Sequence, residues 1–364
     1  MKNTVPSYFK KFRCIADKCP DTCCAGWEIV VDEESLEKYS SLRTEYGKKI
    51  RSLLTVDADG DTVYKSSGGK CPFLLENGLC DMYIAIGHDN LCRTCRMFPR
   101  HITDFGSRVE TGLSFSCPEA ARLITENNAP ITFETEEIQG NIAPNSIDPN
   151  VYFTLIKARN LAIAILQNRK YSIAERLSAF LDFSEKINRY INKKRLFEAA
   201  EFIGNYSFSV PQCNPRTASA KKAFKKYHSD FISLEKLNPE WTGYADEIFS
   251  VYPENIADFL NETRQSEWEL EHFAVYLAFR YFMTAVFDCD LLTKAKFTVV
   301  SLIAVCRIQT YAKAFEKSAR IEIMQKYSKE VEHSANNLEA MNSFIKKSKY
   351  YSSDNLINIL ELMK

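Results

Sequence analysis

Thiols crowd the start of this chain. Nine of its twelve cysteines fall within the first 117 of 364 residues, as Cys14-x4-Cys19-x3-Cys23-Cys24, Cys71-x8-Cys80, Cys92-x2-Cys95 and Cys117. Thiolates gathered at short spacings bind zinc or iron–sulfur clusters. A structural zinc site usually presents two close Cys-x2-Cys knuckles, and only Cys92 and Cys95 have that spacing. A [4Fe-4S] cluster needs four thiolates and tolerates irregular intervals, so the pattern leans toward iron–sulfur, with zinc as the alternative. Cys19-x3-Cys23 also gives the first interval of a radical S-adenosylmethionine cluster motif, but Gly26 stands where the third cysteine belongs. Cys213, Cys289 and Cys306 occur singly in helical stretches and read as small core residues.

Other chemistry-bearing groups are sparser. Arg93, Arg96, Arg100 and His101 flank Cys92 and Cys95, where they could bind a carboxylate or phosphate, balance cluster charge, or form a solvated basic loop. No G-x-G-x-x-G follows a strand and no P-loop occurs, so neither a Rossmann dinucleotide site nor a nucleotide-triphosphate site is indicated. Phe273, Tyr276, Phe279, Tyr281 and Phe282 recur at helical spacing and read as core, with a lysine-binding channel as the other use of such a stretch.

The elements that must position these groups differ between the two halves. Residues 1–125 are punctuated by Gly, Pro, Asp and Cys. They predict one helix over 33–54 capped by Asp32, a short strand at 27–31, and an alternating strand or hairpin at 108–115. Ser116-Cys117-Pro118-Glu119 reads as a helix start, which places Cys117 where the helix dipole favours a thiolate. Residues 126–150, with Pro130, Pro144 and Pro149, read as a connection, and 151–364 as an all-helical domain that includes a Ser172/Glu175 capping box and a helix over 331–345. The fold expected is therefore mainly α: an irregular cysteine-rich metal-binding N-terminal region (1–125) with short β elements, then helices.

Forty-seven basic residues balance forty-seven acidic ones, so no global field draws in nucleic acid or an anionic membrane. The first residues contain no continuous apolar stretch of signal-peptide length, and the longest apolar run, at 299–306, is too short for a membrane span. A cytoplasmic protein is expected, whose reduced thiols bind metal in preference to forming disulfides.

With these residues in hand, the chain resembles the flagellin lysine-N-methylase family, related to the CxxCxxCC-type zinc- or iron-chelating cysteine cluster proteins. The blocks that carry the resemblance are Cys14-x4-Cys19-x-Asp21-Thr22-Cys23-Cys24-x-Gly26-Trp27, Cys71-Pro72-Phe73-Leu74-x5-Cys80, Cys95-x2-Phe98-Pro99-Arg100 and Ser116-Cys117-Pro118-Glu119. It implies Cys14, Cys19, Cys23, Cys24, Cys71, Cys80, Cys95 and Cys117 as metal ligands; Cys92 falls outside the pattern. It further implies a [4Fe-4S] enzyme that moves methyl groups from S-adenosylmethionine to lysine ε-amines of flagellin or another lysine-rich surface protein. A free lysine is only about 0.04% neutral at pH 7, a penalty of roughly 4.6 kcal/mol that such an enzyme must offset. Under this reading Trp27 and Tyr83, and with less force Tyr64, are candidates to line an aromatic lysine site. Asp21 is the candidate base, and Arg96, Arg100 and His101 the candidate donor-binding residues. A non-enzymatic metal-stapled binding module and an iron–sulfur redox carrier remain as alternatives.

Overall fold

The structure, a computed structural model, describes residues 1–58, 60–140, 146–237, 239–250 and 254–364, apart from the side chains of 239–242, 244 and 245. It is mainly helical, with a few short strands in the N-terminal region. Four of these strands form one mixed sheet: β1 (Lys2–Pro6), β4 (Arg100–Asp104), β5 (Arg108–Leu113) and β6 (Phe133–Glu137), in the order β4-β5-β1-β6. The expected alternation at 108–115 is thus the second arm of a hairpin, with His101 opposite Gly112. The chain's first strand pairs parallel to β5 and antiparallel to β6, so the N-terminus closes against residues more than a hundred positions later.

Between β1 and β4 the chain makes an excursion. The helix expected over 33–54 is two, α1 (Glu33–Ser41) and α2 (Glu45–Ser52), because Leu42 leaves the helical region and Thr44 caps a second start. The strand expected at 27–31 does not form; only Val30 bridges to Val63, beside the small β2–β3 hairpin (Leu54–Val56, Thr62–Tyr64). Helices α3 (Asp81–Ile86) and α4 (Arg93–Met97) complete this part. It has an apolar core of its own around Ile29, Val31, Tyr39, Ile50, Tyr64, Phe73, Met82, Leu91 and Cys92.

The sheet and α5 (Pro118–Ile124) belong instead to the large core: Tyr8, Phe105, Leu113, Phe115 and Cys117 pack with the helices. The excursion and the rest thus have distinct apolar cores, and of the connection expected over 126–150, residues 141–145 lie outside the described residues. Helix α6 (Pro149–Leu166) is capped by Asp148, and α7 (Ile173–Asn192) starts at the expected Ser172/Glu175 capping box. Then follow α8 (Leu196–Gly204), α9 (Thr217–Ile232), α10 (Pro239–Ser250), α11 (Ile256–Glu262), α12 (Glu267–Tyr281) and α13 (Ala285–Asp288). The last four are α14 (Leu291–Tyr311), α15 (Lys317–Glu332), α16 (Ala335–Lys347) and α17 (Ser353–Glu361). The helix expected over 331–345 is interrupted at His333, where α15 ends and Ser334 caps α16.

Two buried ion pairs fix the relations that matter for the site. Arg159 of α6 reaches Glu110 of β5, joining helices to sheet. Arg320 of α15 clasps both carboxylate oxygens of Glu269 on α12 at 2.7 and 3.0 Å, which sets the two helices in register. Among the described residues, no helix is long and apolar enough to cross a membrane.

Candidate active site and metal centre

The nine N-terminal thiols are free and fall into two neighbouring groups. Cys14, Cys19, Cys23 and Cys117 lie within one another's field, at the seam between the N-terminal loop and α5. Cys24 lies within the field of Cys71, Cys80 and Cys95 at the small core, and Cys95 is within that of Cys23 too, so the two groups adjoin. Backbone pairing builds the second group: Cys71 N–H donates to the Cys24 carbonyl at 2.8 Å, and Asp81 N–H donates to the Phe73 carbonyl, folding Cys80 back beside Cys71. Cys23 and Cys24 still touch, their thiols sharing a hydrogen bond that lowers Cys24 to about 7 and raises Cys23. Cys92 and Cys95 make a like pair, with Cys92 lowered to about 7. Burial raises Cys71 to about 12 and Cys117 to about 11. Crowded thiols that oppose one another's ionisation are the setting that a bound cation relieves. Among the described residues, no three His, Cys, Asp or Glu side chains are arranged to hold a single metal ion.

Helix α15 runs alongside the first thiol group and grips it. Gln325 Nε2 donates to Asp21 Oδ2 at 2.8 Å and to the Ser116 carbonyl at 2.7 Å, bracketing Cys19 and Cys117. One turn on, Lys329 forms an ion pair with Asp21 and places its ammonium 5.0 Å from the centre of the Trp27 ring. Gly26 makes room for this: its φ is +94°, and a Cβ there would meet Lys329 Cε at 3.4 Å. Another turn on, the His333 ring packs on Trp27 at 3.7 Å between centroids and edge-on to Phe98 at 5.6 Å, while Trp27 and Phe98 lie 5.4 Å apart. These three rings are half-buried.

Deeper lies a polar cluster built by α12 and α15. Tyr276 and Tyr281 both donate to Glu332 Oε2, each at 2.9 Å. Arg280 donates to Tyr276 Oη at 2.6 Å and to Ser114 Oγ at 3.1 Å, and stands 3.6 Å from Glu332. The aromatic stretch of α12 is thus core on one side, with Phe273, Phe279 and Phe282 buried, and supplies two hydroxyls on the other. Burial, then Arg280, then Lys329, lower His333 to about 4, so its imidazole is neutral at ordinary pH. A partly open cavity of about 30 Å³ lined by Phe231, Phe249 and Tyr327 borders neither the thiols nor these rings.

The candidates read from sequence are dispersed in part. Asp21 and Trp27 are at the centre of the site, although the Asp21 carboxylate is engaged by Lys329 and Gln325. Tyr64 is buried in the small core against Phe73. Tyr83 is half-exposed on α3, with His88 as its ring neighbour. Arg96, Arg100 and His101 do not converge on one anion site: Arg96 donates to the Asp89 carbonyl, Arg100 stacks over Phe12 at 5.2 Å, and His101 lies over Gly112 with Nε2 enclosed. Gln325, Lys329, Glu332, His333 and Arg280 were not singled out. Nothing local marks Gln325, Lys329 and His333, whose partners Asp21 and Trp27 lie about three hundred positions away, and Glu332 and Arg280 meet across α12 and α15.

A lysine-N-methylase of Salmonella typhimurium (strain LT2) is 32% identical over 150 residues, 39% of this chain and 37% of that protein. The flagellar biosynthetic protein FliU of Salmonella muenchen is 32% identical over 133 residues, 35% of this chain and 79% of that one. The match thus spans little more than a third of the length of the lysine-N-methylase relative. No solved structure matches the chain. The family described as FliB lysine N-methylase C-terminal domain matches residues 159–359, which take in α12 and α15 with Tyr276, Arg280, Lys329 and Glu332. That span is more than half of the chain, and the protein belongs to the FliB lysine N-methylase family.

Proposed function

We propose that this protein is a cytoplasmic protein-lysine N-methylase that takes methyl groups from S-adenosylmethionine and delivers them to lysine ε-amines of flagellin, with a [4Fe-4S] cluster held by its N-terminal cysteines. The observation that carries the reading is the half-buried group of Trp27, Phe98 and His333 beside Tyr276, Arg280, Tyr281 and Glu332, of which His333 and the last four lie within the span that the family matches. Its relatives are named lysine-N-methylase and flagellar biosynthetic protein, which supplies the substrate class.

The reaction asks three things of the chain. It must exclude water so that the amine loses its proton, present aromatic faces to a sulfonium, and orient the amine toward the methyl carbon. Trp27 already holds an alkylammonium over its face, that of Lys329, and the half-buried Phe98 and His333 extend the apolar wall. Transfer forms the N–C bond and breaks the C–S bond, leaving a thioether and a methylated nitrogen.

The donor chemistry of the thiol groups suits an iron–sulfur cluster, whose irons stand between the ligands and so draw on cysteines from a wider circle than one tetrahedral ion does. Cys14, Cys19, Cys23 and Cys117 would hold it beside Asp21 and Trp27, while Cys24, Cys71, Cys80 and Cys95, joined by Cys92, form the second candidate set. When bound, the cluster supplies either an open iron for the donor's amine and carboxylate or a staple for the loop.

Anaerobic purification with iron, sulfide and zinc quantitation, followed by incubation with S-adenosylmethionine and purified flagellin, tests the whole reading. The expected result is a brown protein and mass gains of about 14 Da per methyl on flagellin lysines. A metal-replete protein that leaves flagellin unmodified rejects the activity, and a zinc-only protein rejects the cluster.

A further inference from the structure

Glu332 is not fully used by its surroundings. Its Oε2 accepts from Tyr276 and Tyr281, but Oε1, equally enclosed, accepts no hydrogen bond. One turn earlier on the same helix, the fully buried Ser328 Oγ is likewise without a partner. A buried carboxylate oxygen left unmet is costly, and its natural complement is an N–H donor. The next residue, His333, belongs to the half-buried aromatic group.

We propose that Glu332 Oε1 is the hydrogen-bond acceptor for the nitrogen of an incoming primary alkylamine, the substrate lysine in the methylase reading on which this inference rests. The titratable and charged groups around Glu332 are Arg280, Tyr276 and Tyr281 from α12 and Tyr327 from α15 itself. Arg280 already answers the carboxylate, so the site holds no surplus negative charge to keep an ammonium. His333 is subject to the same surroundings, and burial with Arg280 and Lys329 keeps it neutral. The amine therefore enters as the free base, having left its proton in water. One N–H donates to Glu332 Oε1 and the lone pair stays free to attack the sulfonium methyl. After transfer the sulfur departs as a thioether, and the extra proton on the methylated nitrogen passes to Glu332 and then to solvent.

The test uses n-butylamine as a lysine side-chain surrogate, titrated at millimolar concentration onto the full chain at pH 7, 8 and 9 and read by calorimetry or by the His333 ring resonances. Because the free base increases tenfold per pH unit below an amine pKa of about 10.4, the apparent Kd is expected to fall about tenfold per unit. Glu332→Gln is expected to weaken binding at least tenfold at each pH. Binding that is flat with pH, or equal in Glu332→Gln, overturns the proposal, and the wild-type pH series decides alone should the variant not fold. Failure to bind butylamine in a preparation that methylates flagellin sinks the Glu332 site and leaves the methylase reading standing. Binding without methylation does the reverse.

Discussion

His333 is held neutral by contacts drawn from three elements, and this ties the stability of the site to pH. Its folded-state pKa of about 4 lies below the ordinary 6.5, so the unfolded chain binds the extra proton first as pH falls. The stabilisation is complete above 6.5 and is lost as pH drops from there through 4. At pH 5 the loss for a shift of this size is about 2 kcal/mol, or about 1–2 kcal/mol allowing for the partly exposed ring. His333→Phe keeps the ring contacts with Trp27 and Phe98 but cannot take up the proton. Urea unfolding at pH 7.5 and 5.0 should show the variant losing about 1–2 kcal/mol less than wild type between the two; equal losses would place the acid sensitivity elsewhere. His333 also marks the limit of what the sequence revealed at this scale. Asp21 and Trp27 could be picked out because they adjoin cysteines, whereas Gln325 and Lys329 meet Asp21 across 304 and 308 residues. No local pattern encodes such a meeting.

Elements were legible where a cap or a period acts locally. Ser172 with Glu175, and Asp32, cap the helices they were expected to cap. The misreadings at 33–54 and 331–345 share a cause: apolar periodicity continues through a break that a second capping residue, Thr44 or Ser334, imposes. The stretch at 27–31 has strand composition but only one bridging partner, since α1 and the β2–β3 hairpin take up its neighbours. The β4–β5 hairpin was readable from its alternation, but the purpose of its central glycine was not. A Cβ on Gly112 would lie 2.4 Å from His101 Nε2 on the paired strand, so the glycine lets the imidazole lie flat on the sheet. Gly112→Ala should therefore cost about 1–3 kcal/mol in chemical denaturation, and adding His101→Ala should restore most of it. Additive losses in the double variant would show that the glycine serves the backbone instead.

For the molecule as a whole, the helical half and the thiol region are stabilised by different means. The helices, the sheet and α5 share one large core, tied by buried pairs such as Arg159–Glu110 and Arg320–Glu269. Among the described residues, the excursion from Trp27 to Cys95 encloses ten buried apolar side chains, one of them Cys92, with Cys71, Cys80 and Cys95 packed around them. A core of that size rarely holds a chain segment unaided. If the thiols bind metal, most of the order in this segment comes from the metal, whereas the large core does not depend on it. Stripping the metal anaerobically with a chelator should then expose residues 27–95 to limited proteolysis first, while fragments spanning 149–364 persist, as read by mass spectrometry of the digest. A segment that resists equally with and without chelator would mean that its cysteines act as packing, and the metal, if present, would have to be held by Cys14, Cys19, Cys23 and Cys117 alone.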